Sequence, residues 1–370
     1  MGMQKKLTIQ DIARLAGVSK ATASRVLNGN PSVNGELRAR VMRVVEEHDF
    51  VPNATAVSLA GGNTHLIGVL APPLVWPALP EIIRGVAEYI EDSAYEIVLY
   101  SINFANAECN HSEVVKRILN LHLVSGLLAI FTDELMPQIT RLAQDGLPIV
   151  LIDDQEEPGH IPWVGIDNRE SACTAVRYLL ELGHTRIAHI SGPQHYYWAN
   201  ERYRGYCQAL QEAGIAPEPE LLLQGGFEPL HGRQCAKQLF SRERASWPSA
   251  IFVANDQMAY GVLEYAEQQG IRVPEDVTIV GFDDNLLSAY TRPPLTTVHQ
   301  PFSEMGRRAT ELLLNMIDPQ YLAGPKASQQ VQAPTDFPRL SERDQPVHLQ
   351  LPTSMVIRAS STQASLSVKT

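Results

Sequence analysis

Acidic, amide and aromatic side chains stand directly after several apolar segments that have the composition of β-strands. Trp76 follows one such segment, and Asp153-Asp154, Asn255-Asp256 and Asp283-Asp284 follow three others. In open parallel sheets, positions of this kind line a crevice at the carboxyl ends of the strands. Carboxylates accept hydrogen bonds, amides donate and accept them, and an aromatic face covers an apolar surface. Together these side chains suit the binding of a small polar molecule.

The adjacent acids Asp283 and Asp284 do not form a catalytic pair. Successive residues of a strand point in opposite directions, so only one of the two can face the crevice. Asp283 is the candidate for ligand binding, and the alternative interpretation is that it only caps the following turn.

A second group of polar side chains occupies the N-terminal segment. Lys20, Ala21 and Arg25 fall on one face of a short predicted helix, where they could reach base edges in a DNA major groove. Arginine suits guanine because its two donors match the O6 and N7 acceptors. Short side chains suited to phosphate oxygens accompany them, namely Ser19, Thr22, Ser24 and Asn28.

Three short helices are predicted to position these N-terminal side chains. Thr8–Asp11 has the spacing of a capping box, and Gly17 ends the first helix. Ser19 caps a second helix, Lys20–Leu27, and Asn34 can cap a third. This order is typical of an all-α helix-turn-helix, and a small helical bundle with solvated cations is the alternative.

From Leu66 onward, apolar strand-like segments alternate with amphipathic helical segments. Such alternation predicts an α/β fold with parallel sheets and helices on both faces. The predicted strands are Leu66–Leu70, Glu96–Tyr100, Gly126–Phe131, Pro148–Ile152, Ile187–Ser191, Ala250–Ala254, Thr278–Phe282 and Leu349–Arg358. The predicted helices are Glu81–Ser93, Glu113–Leu121, Ser171–Leu182, Glu201–Ala213 and Met258–Gln269.

The N-terminal segment also carries a family resemblance. DIARLAGVSKATASRVLNG over Asp11–Gly29 and VPNATAVSLAGG over Val51–Gly62 closely resemble the lactose-repressor (LacI/GalR) family of bacterial regulators. The resemblance implies a homodimer that binds a near-palindromic, double-stranded operator. It also implies that Asn53–Ala60 is a hinge helix, ordered only on DNA, with Leu59 pushed between base pairs. The predicted DNA contacts are completed by Thr8 and Ile9 in the N-terminal segment and by Asn53, Leu59 and Ala60 in the hinge.

The physical properties of the hinge segment agree with this implication. Pro52 suits the first turn of a helix, and the alanines that follow favour helix. A helix this short is unstable alone, so DNA must supply the missing contacts and its binding becomes coupled to hinge ordering. An apolar wedge unstacks a base step at a cost that the contacts of bent DNA offset. The alternative is that Leu59 is an ordinary linker residue.

The body of the chain resembles the same family. Gly165–Pro193, Ile251–Leu263 and Val277–Asp284 match a body that is similar to periplasmic sugar-binding proteins of the ribose-binding type. The resemblance implies two lobes joined by three crossovers, with a ligand between them. The ligand positions that it implies are Arg202, Phe227, Asn255, Asp283 and Gln300, with Asp153 and Phe302 as weaker candidates. Phe227 is either a stacking residue or a core aromatic.

The loop after the first strand departs from the family pattern. Members usually carry an acid, then Asn-Pro and aromatics, whereas Pro73–Leu79 contains Trp76 instead. With Tyr196, Tyr197 and Trp198, Trp76 predicts a broad aromatic pocket for a disaccharide, an aryl glycoside or a non-sugar, unless these rings only pack structurally. Sugar sensors of the family usually lose DNA affinity on binding and purine sensors gain it, so the direction of the switch stays open.

These patterns predict a multidomain organisation. It comprises a helix-turn-helix at 1–50, a hinge at 51–62, a two-lobed effector-binding and dimerisation domain at 63–362, and a tail at 363–370. The lobes are expected at 63–164 with 292–318, and at 165–291 with 347–362. Residues 323–346 are rich in Pro, Gln and Ser and predict a flexible insertion.

Charge distinguishes the head from the body. The chain has a formal net charge of −11, yet residues 1–62 carry eight basic and five acidic side chains. A basic head on an acidic body suits a protein that places only its head on DNA.

The remaining sequence features exclude other classes of protein. No apolar run is long enough to predict a membrane span, and no secretory signal is evident. The four cysteines form no CxxC pair, which favours reduced thiols over a disulfide or metal site. Enzyme motifs are missing, so no catalytic residue, metal or cofactor is predicted.

The sequence therefore predicts a cytoplasmic transcriptional repressor of a carbohydrate-utilisation operon, associated with the nucleoid when bound. Its predicted effector is a small molecule, a mono- or disaccharide. The alternatives are a purine-responsive repressor of the same family and, in a different class, a sugar-binding transport protein.

Overall fold

The structure is a computed structural model, and it describes residues 7–27, 33–48, 50, 64–72, 74, 76–102, 124–130, 135–153, 160–318 and 347–364. Its N-terminal part, the head, contains the three helices α1 (Ile9–Leu15), α2 (Lys20–Leu27) and α3 (Gly35–Glu47). Their apolar faces meet in a small core that includes Ile12, Ala16, Val26 and Val41. The predicted all-α head is confirmed.

The predicted helix caps of the head are present. Thr8 Oγ1 accepts the N–H of Asp11 at 3.3 Å, and Asp11 Oδ2 accepts the N–H of Thr8 at 3.0 Å, which completes the capping box. Ser19 Oγ accepts the N–H of Thr22 at 3.1 Å, and Asn34 Oδ1 accepts an N–H in the first turn of α3 at 2.9 Å. These bonds satisfy N–H groups that a helix start leaves without intrahelical partners.

The first lobe is built on a parallel sheet. Its strands are β1 (Leu66–Ala71), β2 (Glu96–Ser101), β3 (Gly126–Ile130), β4 (Ile149–Ile152), β5 (Trp163–Ile166) and β11 (His348–Leu351). They lie in the order β11-β5-β4-β3-β1-β2, and every pair is parallel. The helices of this lobe are α4 (Leu79–Ile90), α5 (Met136–Gln144) and α10 (Phe302–Ile317).

The second lobe is built on a similar sheet. Its strands are β6 (Ile187–Ser191), β7 (Leu222–Gln224), β8 (Ala250–Val253), β9 (Thr278–Asp283), β10 (Thr296–His299) and β12 (Ser354–Val356). They lie in the order β12-β10-β9-β8-β6-β7, and β12 is antiparallel to β10 whereas the other pairs are parallel. Its helices are α6 (Asn168–Glu181), α7 (Tyr197–Glu212), α8 (Pro229–Phe240) and α9 (Asp256–Gln269).

Helices cover both faces of the second sheet. Ala250 and Phe252 of β8 pack in the cluster that contains α6 and α7, whereas Ile251 and Val253 pack in the cluster with α8 and α9. Because both faces are covered, the strand is apolar throughout rather than alternating. The predicted α/β body with two parallel-dominated sheets is confirmed.

Among the described elements, the chain crosses between the sheets three times, and some of these crossings differ from the predicted positions. Residues 292–299 were expected in the first lobe, yet β10 belongs to the second sheet, and the crossover comes at Gln300-Pro301. The predicted strand Leu349–Arg358 is two strands in different sheets, because Pro352 has no N–H for the ladder and interrupts it. The boundary expected after residue 164 falls after β5, at Asp167, which caps α6.

Several predicted features lie outside the described residues. They are the turn residue Asn28, the hinge 51–62 with Asn53, Leu59 and Ala60, the helix Glu113–Leu121, the insertion 323–346 and the tail beyond residue 364.

Candidate functional site

A small cavity lies where the two lobes meet, and the space inside it is about 10 Å³. Trp76, just before α4, contributes a wall from the first lobe, and Phe302 begins α10 after the crossover. The side chains that line the cavity are Trp76, Trp198, Arg202, Asn255, Asp283, Gln300 and Phe302. All of these lining residues were candidates from the sequence, Phe302 as a weaker one and Trp76 and Trp198 as part of the predicted aromatic pocket. The other candidates, Asp153, Tyr196, Tyr197 and Phe227, do not line the cavity.

Arg202 is held rigidly at the floor of this cavity. The side chain is 3% exposed, its Nε donates to Asn168 Oδ1 at 2.8 Å, and its Nη1 donates to the carbonyl of Ala254 at 2.6 Å. Its Cζ lies 3.7 Å from the ring centroid of Phe282 and 4.7 Å from that of Trp198. A cation between two aromatic faces is stabilised without losing its planar donors.

Asp283 lies beside Arg202 in the wall of the cavity. Its Oδ1 lies 3.5 Å from Arg202 Nη1 and accepts a hydrogen bond from Gln300 Nε2 at 2.7 Å. Burial raises the pKa of the Asp283 carboxyl above its usual range, and the charge of Arg202 opposes that rise. Its backbone φ of 121° breaks the strand direction at the end of β9, and a residue held in this unusual conformation is often part of a functional site.

Asp284 turns away from the cavity. Its Oδ2 accepts from His299 Nδ1 at 3.0 Å, and its Oδ1 accepts from Arg358 Nη2 at 2.6 Å. The two acids therefore have separate surroundings, as predicted, but strand alternation is not the reason, because β9 ends at Asp283 and both acids have a positive φ.

Asn255 serves two purposes at the start of α9. Its Oδ1 accepts the N–H of Met258 at 3.0 Å and caps the helix, while its Nδ2 donates to the carbonyl of Phe227 at 3.0 Å. The amide is thereby fixed at the cavity wall with both polar atoms engaged by the protein.

Phe227 is not among the residues that line the cavity. Its ring stacks on Trp198 at 4.6 Å between centroids and meets Tyr196 edge-on at 5.3 Å. A side chain on Gly192 would lie 2.2 Å from the Phe227 ring, so only glycine admits it there. Phe227 is half-buried and packs against other rings, which favours a packing role over stacking on a ligand.

Asp153 is also absent from the cavity wall. It is buried at the end of β4 with a φ of 131°, and its N–H donates to the carbonyl of Val164 at 3.0 Å. It shares its place at a strand end with Asp283, but in the other sheet.

Asp256 is a polar residue whose contribution sequence reasoning missed. Its buried carboxylate accepts hydrogen bonds from Ser288 Oγ at 2.5 Å, from Thr297 Oγ1 at 2.6 Å and from the N–H of Asn285 at 2.9 Å. Burial and the charge of Asp283 raise its pKa. It ties the start of α9, the loop after β9 and strand β10 together beneath the cavity.

The head presents the predicted DNA-contacting residues in different ways. Ser19, Lys20, Ala21 and Arg25 are exposed, and neither Lys20 nor Arg25 has an ion pair with another residue that the structure describes. Thr22 and Ser24 are half-buried, and the hydroxyls of Thr22 and Ser19 lie 2.9 Å apart. Thr8 is exposed but occupied by its capping box, and Ile9 is half-buried.

The chain matches two family models and many known proteins. The model "Bacterial regulatory proteins, lacI family" matches residues 8–53, and "Periplasmic binding protein-like domain" matches residues 176–361. The chain is 34% identical to the HTH-type transcriptional repressor PurR of Aliivibrio fischeri (strain MJ11), over 84% of this chain and 91% of that protein. It is 33% identical to the HTH-type transcriptional regulator DegA of Bacillus subtilis (strain 168), over 81% of this chain and 88% of that protein.

Solved structures give the same result. The Lac repressor dimer bound to operator and the anti-inducer ONPF has a TM-score of 0.77 at 27% identity, over 97% of this chain and 100% of that one. A complex of the transcriptional regulator CelR with cellobiose has a TM-score of 0.68 at 29% identity, over 96% and 100%.

Head, lobes and cavity together define a DNA-binding regulator with a two-lobed sensor body. The chain belongs to the LacI family of bacterial transcriptional regulators, which confirms the resemblance seen in the sequence. It is a DNA-binding transcriptional repressor, and its homologues are regulators rather than enzymes. Among the described residues, no helix combines the length and apolar character needed to cross a membrane.

Proposed function

We propose that this repressor controls a carbohydrate-utilisation operon and that a sugar bound between its lobes changes its affinity for the operator. The observation that carries the proposal is that Arg202, Asn255, Asp283 and Gln300 line one cavity together with the indole of Trp76. A sugar hydroxyl donates and accepts at once, so a carboxylate beside a guanidinium suits a pair of neighbouring hydroxyls. The indole faces suit the apolar side of a sugar ring.

The cavity is too small to hold a sugar in this arrangement of the lobes. The space inside it is about 10 Å³, roughly the room that one water molecule needs, whereas typical small-molecule pockets have about 300–1,000 Å³. Binding of either a monosaccharide or a disaccharide therefore requires the lobes to move apart. The related CelR is described in complex with the disaccharide cellobiose.

A purine is the second candidate effector. The relative with 34% identity is named PurR, and once the lobes have moved apart the rings of Trp76 and Trp198, which line the cavity, suit the face of a planar base. Isothermal titration calorimetry of the full-length protein against monosaccharides, disaccharides and purine bases distinguishes the two. Binding of a purine base with no binding of any sugar contradicts the sugar proposal.

The proposed switch works through the arrangement of the lobes. Trp76 belongs to the first lobe, Asp283 and Arg202 to the second, and Gln300 to the crossover between them. A ligand that touches all of these groups has different contact energies in open and closed arrangements. Only that difference can change operator affinity, whatever the total strength of binding.

The proposed DNA complex is that of a homodimer on a near-palindromic operator, inside the cytoplasm. Lys20, Ala21 and Arg25 face base edges in the major groove, and the hinge enters the minor groove with Leu59 as its wedge. Ser19, Thr22 and Ser24 contact phosphates.

The proposed dimer contact in the second lobe is the turn after β9. There Leu286, Leu287 and Tyr290 are 80%, 59% and 74% exposed. Three large apolar side chains so close together suit a surface that another copy of the chain covers.

A further inference from the structure

Arg40 joins the third helix of the head to the turn between the first two. Its Nη2 donates to the carbonyl of Ala16 at 2.6 Å and lies 3.2 Å from the carbonyl of Gly17, which it also bonds. Arg40 lies in the middle of α3, whereas both acceptors lie in the turn that connects α1 to α2. One of the basic side chains of the head is therefore directed into the protein's own backbone.

The end of α1 provides the acceptors for this guanidinium. The N–H of Gly17 donates to the carbonyl of Arg14 at 3.2 Å, and the N–H of Val18 donates to that of Ala13 at 2.9 Å. A helix leaves its last carbonyls without intrahelical partners, and its C-terminus carries partial negative charge. Arg40 supplies both the donor and the positive charge that this end requires.

The backbone of the turn is shaped to admit Arg40. Gly17 has a φ of +64°, and a Cβ built there would lie 2.7 Å from Arg40 Nη2. The left-handed conformation favours glycine at this position, and a side chain there would also push the end of the Arg40 side chain away from the two carbonyls. The contact between Arg40 and Gly17 therefore links residues that are more than twenty positions apart in the chain.

The turn determines where the base-contacting helix lies. Lys20 and Ala21 begin α2 only a few residues after Gly17, and their approach to the major groove depends on how the turn is held. We propose that Arg40 is a positioning residue for DNA recognition, which fixes α2 against α3 through the carbonyls of Ala16 and Gly17. Arg40 thus acts through the protein's own turn and does not neutralise a phosphate.

Substitution of Arg40, compared with a matched control, tests this role in the full-length protein. Arg40→Met removes the donors and the charge but keeps an unbranched, helix-favouring side chain. Arg43→Met removes the same charge from the same helix at an exposed position. The probes are a palindromic duplex selected from a random library by the wild-type protein and a duplex of unrelated sequence, each titrated over a range of salt concentrations.

The two possible roles of Arg40 predict different outcomes. A positioning role predicts that Arg40→Met weakens binding to the selected duplex at least tenfold more than Arg43→Met does. Binding to the unrelated duplex and the salt dependence should then match those of the control. A phosphate contact would lower the slope of log affinity against log salt by about 0.9 for each subunit and weaken both duplexes alike. Loss of binding to both duplexes overturns the proposal, whether a phosphate contact or the folded head has been lost.

A double-mutant cycle with Gly17 gives an independent measurement. Gly17→Ala should weaken binding to the selected duplex in the wild-type background, because the alanine Cβ displaces the Arg40 guanidinium and because residue 17 has a positive φ. In the Arg40→Met background there is no guanidinium to displace. The loss of affinity caused by Gly17→Ala should therefore be several-fold smaller there. If the loss of affinity in the double variant is simply the product of the losses in the two single variants, the two residues act separately. That result would overturn the proposal.

Discussion

Gln300 donates a hydrogen bond from Nε2 to Oδ1 of Asp283, with 2.7 Å between the two atoms. Asp283 ends β9 in the second lobe, and Gln300 stands at the crossover that leads to α10 in the first. The same oxygen lies 3.5 Å from Nη1 of Arg202. A ligand that bonds to Asp283 would therefore act on a side chain that is tied to the segment joining the two lobes.

Asp283→Asn should abolish the effector response and leave operator binding intact. The substitution removes the charge and one acceptor oxygen while keeping the shape, and an unsatisfied buried partner costs about 1–3 kcal/mol. Since about 1.4 kcal/mol corresponds to a tenfold change in affinity, calorimetry with the effector would detect the loss. Arg202→Ala should act in the same direction. Asp145→Asn, at an exposed site after α5, is the control, and unchanged effector affinity in Asp283→Asn would refute the assignment.

Effector affinity should depend on pH through Asp283. Because burial raises the pKa of this carboxyl, it takes up a proton at a higher pH than a free aspartate, whose pKa is about 3.9. The protonated form loses its charge and part of its acceptor capacity. Affinity should therefore be full above the raised pKa and fall as the pH drops through it. Asp283→Asn should give a flat profile, and a wild-type affinity constant from neutral pH down to about pH 4 would contradict the prediction.

The parts of the fold that could be predicted from the sequence depend on local signals. The capping box at Thr8 and the caps at Ser19 and Asn34 involve residues a few positions apart, and all three are present. Buried strands such as β8 are continuous apolar runs, so their positions and the polar residues at their ends were also predictable. Asn255 and Asp283 were assigned to the predicted site because each stands at such a strand end.

The parts that could not be predicted depend on contacts between distant residues. Nothing near β10 shows which sheet it joins, and the division of Leu349–Arg358 depends on which partner strand lies beside each half. Likewise, Phe227 supports Trp198 because Gly192, far away in the chain, leaves room for its ring. From the sequence alone, Asp256 cannot be distinguished from an exposed acid next to a helix-capping residue. Its three buried hydrogen-bond partners become evident only in the fold.

Arg25→Ala should weaken operator binding by about 1–3 kcal/mol and relax base choice at one position in each half-site. Arg25 is exposed on α2 and has no ion pair among the described residues, so its guanidinium is available for a guanine edge. Affinities for a selected palindrome and its single-base variants would measure both effects. Equal weakening on every sequence would show instead that Arg25 contacts a phosphate.

Leu59→Ala should weaken binding to the selected operator much more than binding to unrelated DNA. A wedge that unstacks a base step acts only where the DNA bends and the hinge helix forms. Affinities of the full-length variant for both kinds of duplex would measure the difference. Similar losses on the two duplexes would remove the intercalating role proposed for this residue.

Leu286→Glu should weaken the homodimer and, with it, operator binding. Leu286 is 80% exposed beside Leu287 and Tyr290, and a charge in the proposed contact would be buried without a partner. Two heads held in one dimer bind the two half-sites as a linked pair, so separate subunits lose this advantage on a palindrome but not on a single half-site. Sedimentation equilibrium should show at least a tenfold weaker dimer. Ile357→Glu, at a site that is 62% exposed, is the control, and an undiminished dimer in Leu286→Glu would exclude this face as the contact.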